Sequence, residues 1–217
     1  VLKNTSISNV SSIKDGMLKL TGGVTFYNAD VRMENVNFSY GFDEDLLNIV
    51  NSKYSLNHIV VKHADSDAID FDFSEGVIDN IELSNIEGDA LDFSGGSSKV
   101  SNANIFNVKD KAISAGEEVY LDVKNSKIKN VGIGVASKDG SKVHLSKSSI
   151  KDTALSPAMS YIKKNFYDFP EIIIESTEID HNKIIAQTGT KFILNNTIIE
   201  TQNIDVEKMY SSGLVQK

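Results

Sequence analysis

Aspartate recurs in this chain at a fixed interval: Asp45, Asp67 and Asp89 are each 22 residues apart, and Lys111 takes the next place. Asp70 and Asp92 keep the same interval, and Asp72 lies two residues beyond Asp70. Residues of these types could do three kinds of chemistry. Asp70, Asp72 and Asp92 could offer a calcium ion hard oxygen ligands from neighbouring repeats. Asp70 and Asp92 could accept hydrogen bonds from a bound ligand, with Tyr161 and Tyr167 as stacking platforms for its sugar rings. Lys111, Glu117 and Asp139 could move protons, since Glu117 and Asp139 are also 22 residues apart and Lys138 is close by. The plainest alternative is structural, with each aspartate accepting backbone N–H groups at the turn before a strand. If the interval is one coil, like charges stand about 4.8 Å apart. They repel by roughly 1 kcal/mol at the dielectric of water and by about 3–4 kcal/mol at an effective value near 20. Backbone donors, a cation or raised pKa values must relieve that repulsion.

The elements that would position these residues repeat in step. Leu47, Ile69, Leu91, Ile113 and Val135 form one apolar column, and Ile49, Phe71 and Phe93 form another that thins to Ala115 and Ser137. Alternation with Asn48, Asp70, Asp92, Ser114 and Ala136 is the period-two signature of a strand with one buried face. A second strand column runs Phe38, Val61, Leu83, Ile105, Ile128 and Ile150. Between the strands stand two asparagine rows, Asn80–Asn102–Asn125 and Asn85–Asn107–Asn130. Asparagine tolerates left-handed backbone angles, which suits the corners of a coil. One repeat is too short to bury its own apolar face, so stacked repeats must supply the core. A leucine-rich repeat lacks the required spacing here, and a β-sandwich has no reason to repeat every 22 residues.

Composition narrows the function. The chain has 217 residues, a formal net charge of −8 and one arginine, Arg32, which argues against a nucleic-acid partner. Without cysteine it has no disulfide, thiolate zinc site or cysteine nucleophile. No apolar run reaches the length of a membrane span, and the opening residues Val1–Ser6 do not read as a signal peptide. His58, His63, His144 and His181 are isolated, and neither Gly22-Gly23 nor Gly95-Gly96 leads into a phosphate loop.

The runs DALDFSGG at 89–96, KAISAGE at 111–117 and GVASKDGS at 134–141 resemble right-handed β-helix proteins of the pectin-lyase-like superfamily, over roughly residues 15–200. The resemblance implies an extracellular or cell-envelope setting and a carbohydrate partner. In lyases of that group calcium neutralises a uronate while a Lys or Arg removes the adjacent proton, and Asp70, Asp92, Glu117 and Lys111 could be cast in those roles. The paired-aspartate and Gly-His-Gly pattern of its hydrolases is absent, as is the Asp-Pro-His motif of its epimerases. The fold expected is all-β, a single-stranded right-handed parallel β-helix of about 22 residues per coil, in one domain spanning residues 1–217. Regular coils are expected over about 15–152, a longer loop with a helical turn over 156–169, and last coils with a terminal cap over 170–217. The expected function is non-catalytic: a flat surface that binds a polysaccharide or a protein. A polysaccharide lyase or uronate epimerase at the acidic row, and a structural spacer of a larger protein, are the rivals.

Overall fold

The computed structural model describes residues 1–15, 18–213 and 215, and it is a parallel β-solenoid of about eight turns. Its regular turns carry three strand segments separated by tight corners, and each segment pairs in parallel with its counterpart one turn away. On the first face Leu47 pairs with Ile69 and Ile69 with Leu91, while Val135 lies between Ile113 and Ala158. The second face stacks residues 53–57, 75–79, 97–101 and 120–124, and the third stacks 59–62, 81–84 and 103–106. Among the described residues no helix is long and apolar enough to cross a membrane.

Both apolar columns read from the sequence point inward and are almost wholly buried, as is the row from Phe38 to Ile150. The aromatic members stack along the solenoid axis: Phe71 and Phe93 lie 4.8 Å apart at 8°, with Tyr54 packed on Phe71 at 4.5 Å. Parallel strands in register place like residues over one another, so a column of one type fills the core without gaps.

The corners explain the asparagines. Asn80, Asn102 and Asn125 have φ of 55°, 56° and 53°, and Asn85, Asn107 and Asn130 have 59°, 57° and 55°. These are left-handed angles that asparagine adopts at low cost. The side chains also bond from turn to turn, Asn130 donating to Asn107 at 2.8 Å and Asn107 to Asn85 at 3.2 Å. His58 and His63 occupy the same two corner rows at φ of 54° and 62°, so they stand at separate corners rather than on one continuous strand. A third corner row, Asn28, Asn51, Phe73, Gly95, Glu117 and Asp139, is left-handed as well. Phe73 and Glu117 are not corner residues by type and break the row, so the sequence did not reveal it.

The later turns differ from expectation in two respects. The strand of the first face runs from Ser149 to Tyr161, so the helical turn expected near Met159–Lys164 is a strand up to Tyr161. Ser156-Pro157 reads as a break because proline has no N–H to give a ladder. The chain absorbs it with a one-residue register shift, between the pairs Val131–Thr153 and Ile133–Ser156, and the rung then resumes. The irregular loop is therefore the shorter stretch 162–170. The C-terminal segment, expected to close the end of the solenoid, instead lies along its side. Helix α1, Val206–Ser211, brings Val206, Met209 and Tyr210 against Ile133, Ala136, Met159, Tyr161 and Val215. Ile133, Ala136, Met159 and Tyr161 point outward from the first face, so α1 covers that end of it.

Candidate functional site

The outward side of the first face is not a solvated surface. Three rows alternate with the inward columns: Asp45–Asp67–Asp89–Lys111–Ile133, then Asn48–Asp70–Asp92–Ser114–Ala136, then Val50–Asp72–Ser94–Gly116–Lys138. Asp45, Asn48, Asp89, Lys111, Ser114 and Lys138 are all buried. The rows form a polar trough, acidic in the middle turns and basic toward α1. On one side stands the left-handed corner row of Phe73, Gly95, Glu117 and Asp139.

Asn48, expected to face outward into solvent, lies at the bottom of the acidic part. Its amide nitrogen is 3.1 Å from both Asp45 Oδ2 and Asp70 Oδ2, and 3.2 Å from Asp72 Oδ2 and Thr21 Oγ1. Burial pushes the Asp45 carboxyl up to about 6, against hydrogen bonds from Thr21 and Asn48. Burial, then the charge of Asp89, pushes Asp67 up to about 8. Burial and Asp92 raise Asp70 well above the carboxylate range, and burial raises Asp72 in spite of its bond from Asn48. Protons on some of these acids are therefore one relief of the repulsion that the spacing demands. The turn donors supply another: the N–H of Asp89 donates to Asp67 Oδ1 at 2.7 Å, and that of Lys111 to Asp89 Oδ1 at 2.9 Å.

The basic end has its own logic. The Lys111 ammonium is buried between Asp89, at 2.9 Å, and Asp110. That ion pair gives Lys111 a structural partner in the free protein. Lys138 is also buried, 6% exposed, and its side chain lies over Gly116, where an added methyl would stand 3.6 Å from Cε. Burial lowers its pKa, but the fields of Asp92 and Asp89 outweigh that and hold the ammonium charged.

The other residues singled out by spacing are placed as follows. Glu117 forms an ion pair with Lys164, and Asp139 Oδ1 accepts the backbone N–H groups of Lys163 and Lys164 at 2.7 Å each. Both thus pin the 162–170 loop to the edge of the trough. The Tyr161 ring is wholly buried and its hydroxyl meets that of Tyr210 at 2.8 Å, so it offers no face to a sugar. Tyr167 is half-buried against Phe166, which is itself exposed. His144 bridges Asp122 and Glu175 on the second face, away from the trough.

Phe73 is the candidate residue that spacing missed. It is 59% exposed at φ 48°, and its ring lies over Gly95, whose missing Cβ would come within 2.8 Å of Phe73 Cδ1. A bulky residue held at positive φ costs of order 1–3 kcal/mol, and such strain gathers at binding sites. The signal available in the sequence was Phe73 replacing the asparagine of position 51, 22 residues earlier.

Oxygen atoms without donors mark the centre of the trough. Oδ1 of Asn48, Asp70 and Asp92 and Oγ of Ser114 are covered and make no hydrogen bond. For a cation, the set that converges is Asp67, Asp89 and Asp92, with one carboxylate oxygen from each within 4.8 Å of the others, rather than Asp70, Asp72 and Asp92. Calcium takes six to eight oxygens at about 2.3–2.6 Å. Asp89 Oδ1 already bonds the Lys111 ammonium and N–H, and Asp67 Oδ1 a turn N–H, so the set fits calcium poorly. Thermal stability is accordingly expected to change little between millimolar calcium and excess chelator. A midpoint shift of many degrees that vanishes in Asp92→Asn would instead make the row a metal site.

No protein-family model, curated protein or solved structure matches the chain. The fold defines the class, a parallel β-solenoid, and the trough defines the site.

Proposed function

We propose that this solenoid is a polysaccharide-binding module of an extracellular or cell-envelope protein, and that the trough of the first face is its site. The observation that carries this reading is Phe73, a strained, exposed aromatic platform beside a row of carboxylates. A sugar ring has an apolar C–H face for such a platform and hydroxyl donors for acceptors such as Asp72 and Asp92. The acidic row continues past Phe73 over several turns, which suits a chain ligand lying along the axis. The setting outside the cytoplasm follows from the resemblance to pectin-lyase-like proteins.

Phe73→Asn tests the reading, because asparagine keeps the left-handed corner, as Asn51 does one turn earlier, and removes the ring. Affinity electrophoresis against a panel of polysaccharides is expected to retard the native protein, with a loss of about tenfold or more in the variant and an unchanged melting point. Equal retardation of both would remove Phe73 from the site. Acid–base catalysis on the same ligand is the second reading, favoured by the proton that Asp67 holds up to about pH 8 in the same row as Lys111. New ultraviolet absorbance from unsaturated uronate ends would establish it as a lyase.

A further inference from the structure

The Lys111 ammonium touches two carboxylates, Asp89 at 2.9 Å and Asp110. The three residues are 2%, 5% and 4% exposed. One carboxylate neutralises a buried ammonium, and a second leaves the group with a net negative charge that burial penalises. A surplus acid has a chemical use where an amine meets a carboxyl, because it can carry protons between them.

Neighbouring turns build the group. Asp89 and Lys111 share one row, with Ile133 opposite Lys111 on the next turn. The backbone N–H of Lys111 donates to Asp89 Oδ1 at 2.9 Å and fixes that carboxyl beside the ammonium. The N–H of Asp110 donates to the carbonyl of Gly88 one turn earlier, and Gly132 lies against the Asp110 carbonyl one turn later. Neither glycine has a side chain to compete for the space into which Asp110 turns. Ile133, Tyr161 and Tyr210 belong to the apolar cluster that α1 closes, and both tyrosines stand within the field of the three charges.

We propose that Lys111 and Asp89 join in an isopeptide bond, formed by the folded chain itself, with Asp110 as the proton relay. Burial works against the ammonium, but the two carboxylates outweigh it, so the group rests as an ion pair. The reactive form holds the same number of protons. One proton passes from Nζ to Asp89, and a neutral amine then faces a neutral carboxyl, a pair that a dry site penalises less than separated charges. Nζ attacks Cγ of Asp89 while the Lys111 N–H steadies the charge on Oδ1. Asp110 takes a proton from the nitrogen and delivers it to the other Asp89 oxygen. The C–O bond breaks, water leaves, and Asp110 is again a carboxylate. Ammonium and carboxylate thus become one amide and one water, with no oxidant or cofactor. In a chain without cysteine the bond staples two adjacent turns.

Intact-mass spectrometry of the full chain, folded and then denatured in acid, is the test. The native protein is expected to be one water lighter than its sequence mass, about 18 Da, and its digest to contain a branched peptide joining the segments around Asp89 and Lys111. Lys111→Arg keeps the charge but cannot form the bond, and should show its full mass. Asp110→Asn removes the relay and should show its full mass as well. Native protein at its sequence mass would overturn the proposal outright. So would a water loss that persists in Lys111→Arg, since it would lie elsewhere, as in a succinimide at Asp139-Gly140. A native-like loss in Asp110→Asn would overturn the part given to Asp110. Should either variant fail to fold, the native digest decides: a branched peptide through Asp89 and Lys111 establishes the bond, and linear peptides alone refute it.

Discussion

The protein is expected to grow less stable as pH rises from about 5.5 to 8, with the melting point falling by several degrees. The sign follows from Asp67. Its carboxyl is raised from an ordinary 3.8 to about 8, first by burial and then by Asp89. Between those two values the folded chain binds more protons than the unfolded one, so the stabilisation present at low pH is lost as pH rises through the folded value. At about 1.4 kcal/mol per pH unit, the interval from 5.5 to 8 removes roughly 3 kcal/mol through Asp67 alone. For a chain of this size that is on the order of 6–12 °C in midpoint. Asp70 and Asp45 shift in the same direction and add to it. Asp67→Asn should flatten the slope and melt higher than the native protein at pH 8, since the amide keeps an acceptor for the Asp89 N–H. Thermal melts across that range check it. A midpoint that rises or stays flat would mean that the row is fully ionised and that something other than protons balances it.

The second large effect concerns the two sides of one strand. Leu91→Ala empties part of the inward column and should cost about 2–5 kcal/mol, the range for large-to-small changes in packed cores. Period-two alternation alone would make Asn48→Ala nearly free, because Asn48 faces away from that core. The structure reverses this expectation. Asn48 is buried and its amide is shared by Asp45, Asp70, Asp72 and Thr21. Its loss takes a donor from Asp45, Asp70 and Asp72, at about 1–3 kcal/mol for each buried group left unsatisfied. Asn48→Ala is therefore expected to cost about 3 kcal/mol or more, comparable to Leu91→Ala, and Asn48→Asp more still through added repulsion. Denaturant melts of the variants side by side would settle it. A cost for Asn48→Ala well under 1 kcal/mol would mean that the trough is solvated after all.

Much of the solenoid was legible in the residues themselves. The 22-residue interval sets the coil, the columns from Leu47 and Phe38 set the inward phase, and the two asparagine rows set two of the three corners. Each is a repeated local preference, and a repeat states the preference several times over. The strand continuing to Tyr161 was hidden because Ser156-Pro157 breaks the local pattern, while the neighbouring rung, one residue out of register, restores it. The corner at Phe73 was hidden because phenylalanine does not favour positive φ, and only the strands on either side impose it there.

The candidate site divides the same way. The sequence by itself determined which carboxylates lie on adjacent turns, since a strand period of two and a coil of 22 leave Asp70 no neighbours but Asn48 and Asp92 in its row. It did not determine that this outward face is buried. Periodicity reports which side of a strand a residue occupies, and says nothing about what covers that side. At one end the cover comes from α1, more than 60 residues further along the chain than the first-face residues Ile133 and Ala136 on which it packs, and at the other Thr21 and Gly22 close on Asn48. Contact at such a distance depends on where the last turns leave the chain, so only the tertiary structure decides it. That same contact buries Tyr161. Burial on that face turns a row of surface aspartates into proton-holding acids, and sets the ammonium groups of Lys111 and Lys138 in the field of Asp89 and Asp92.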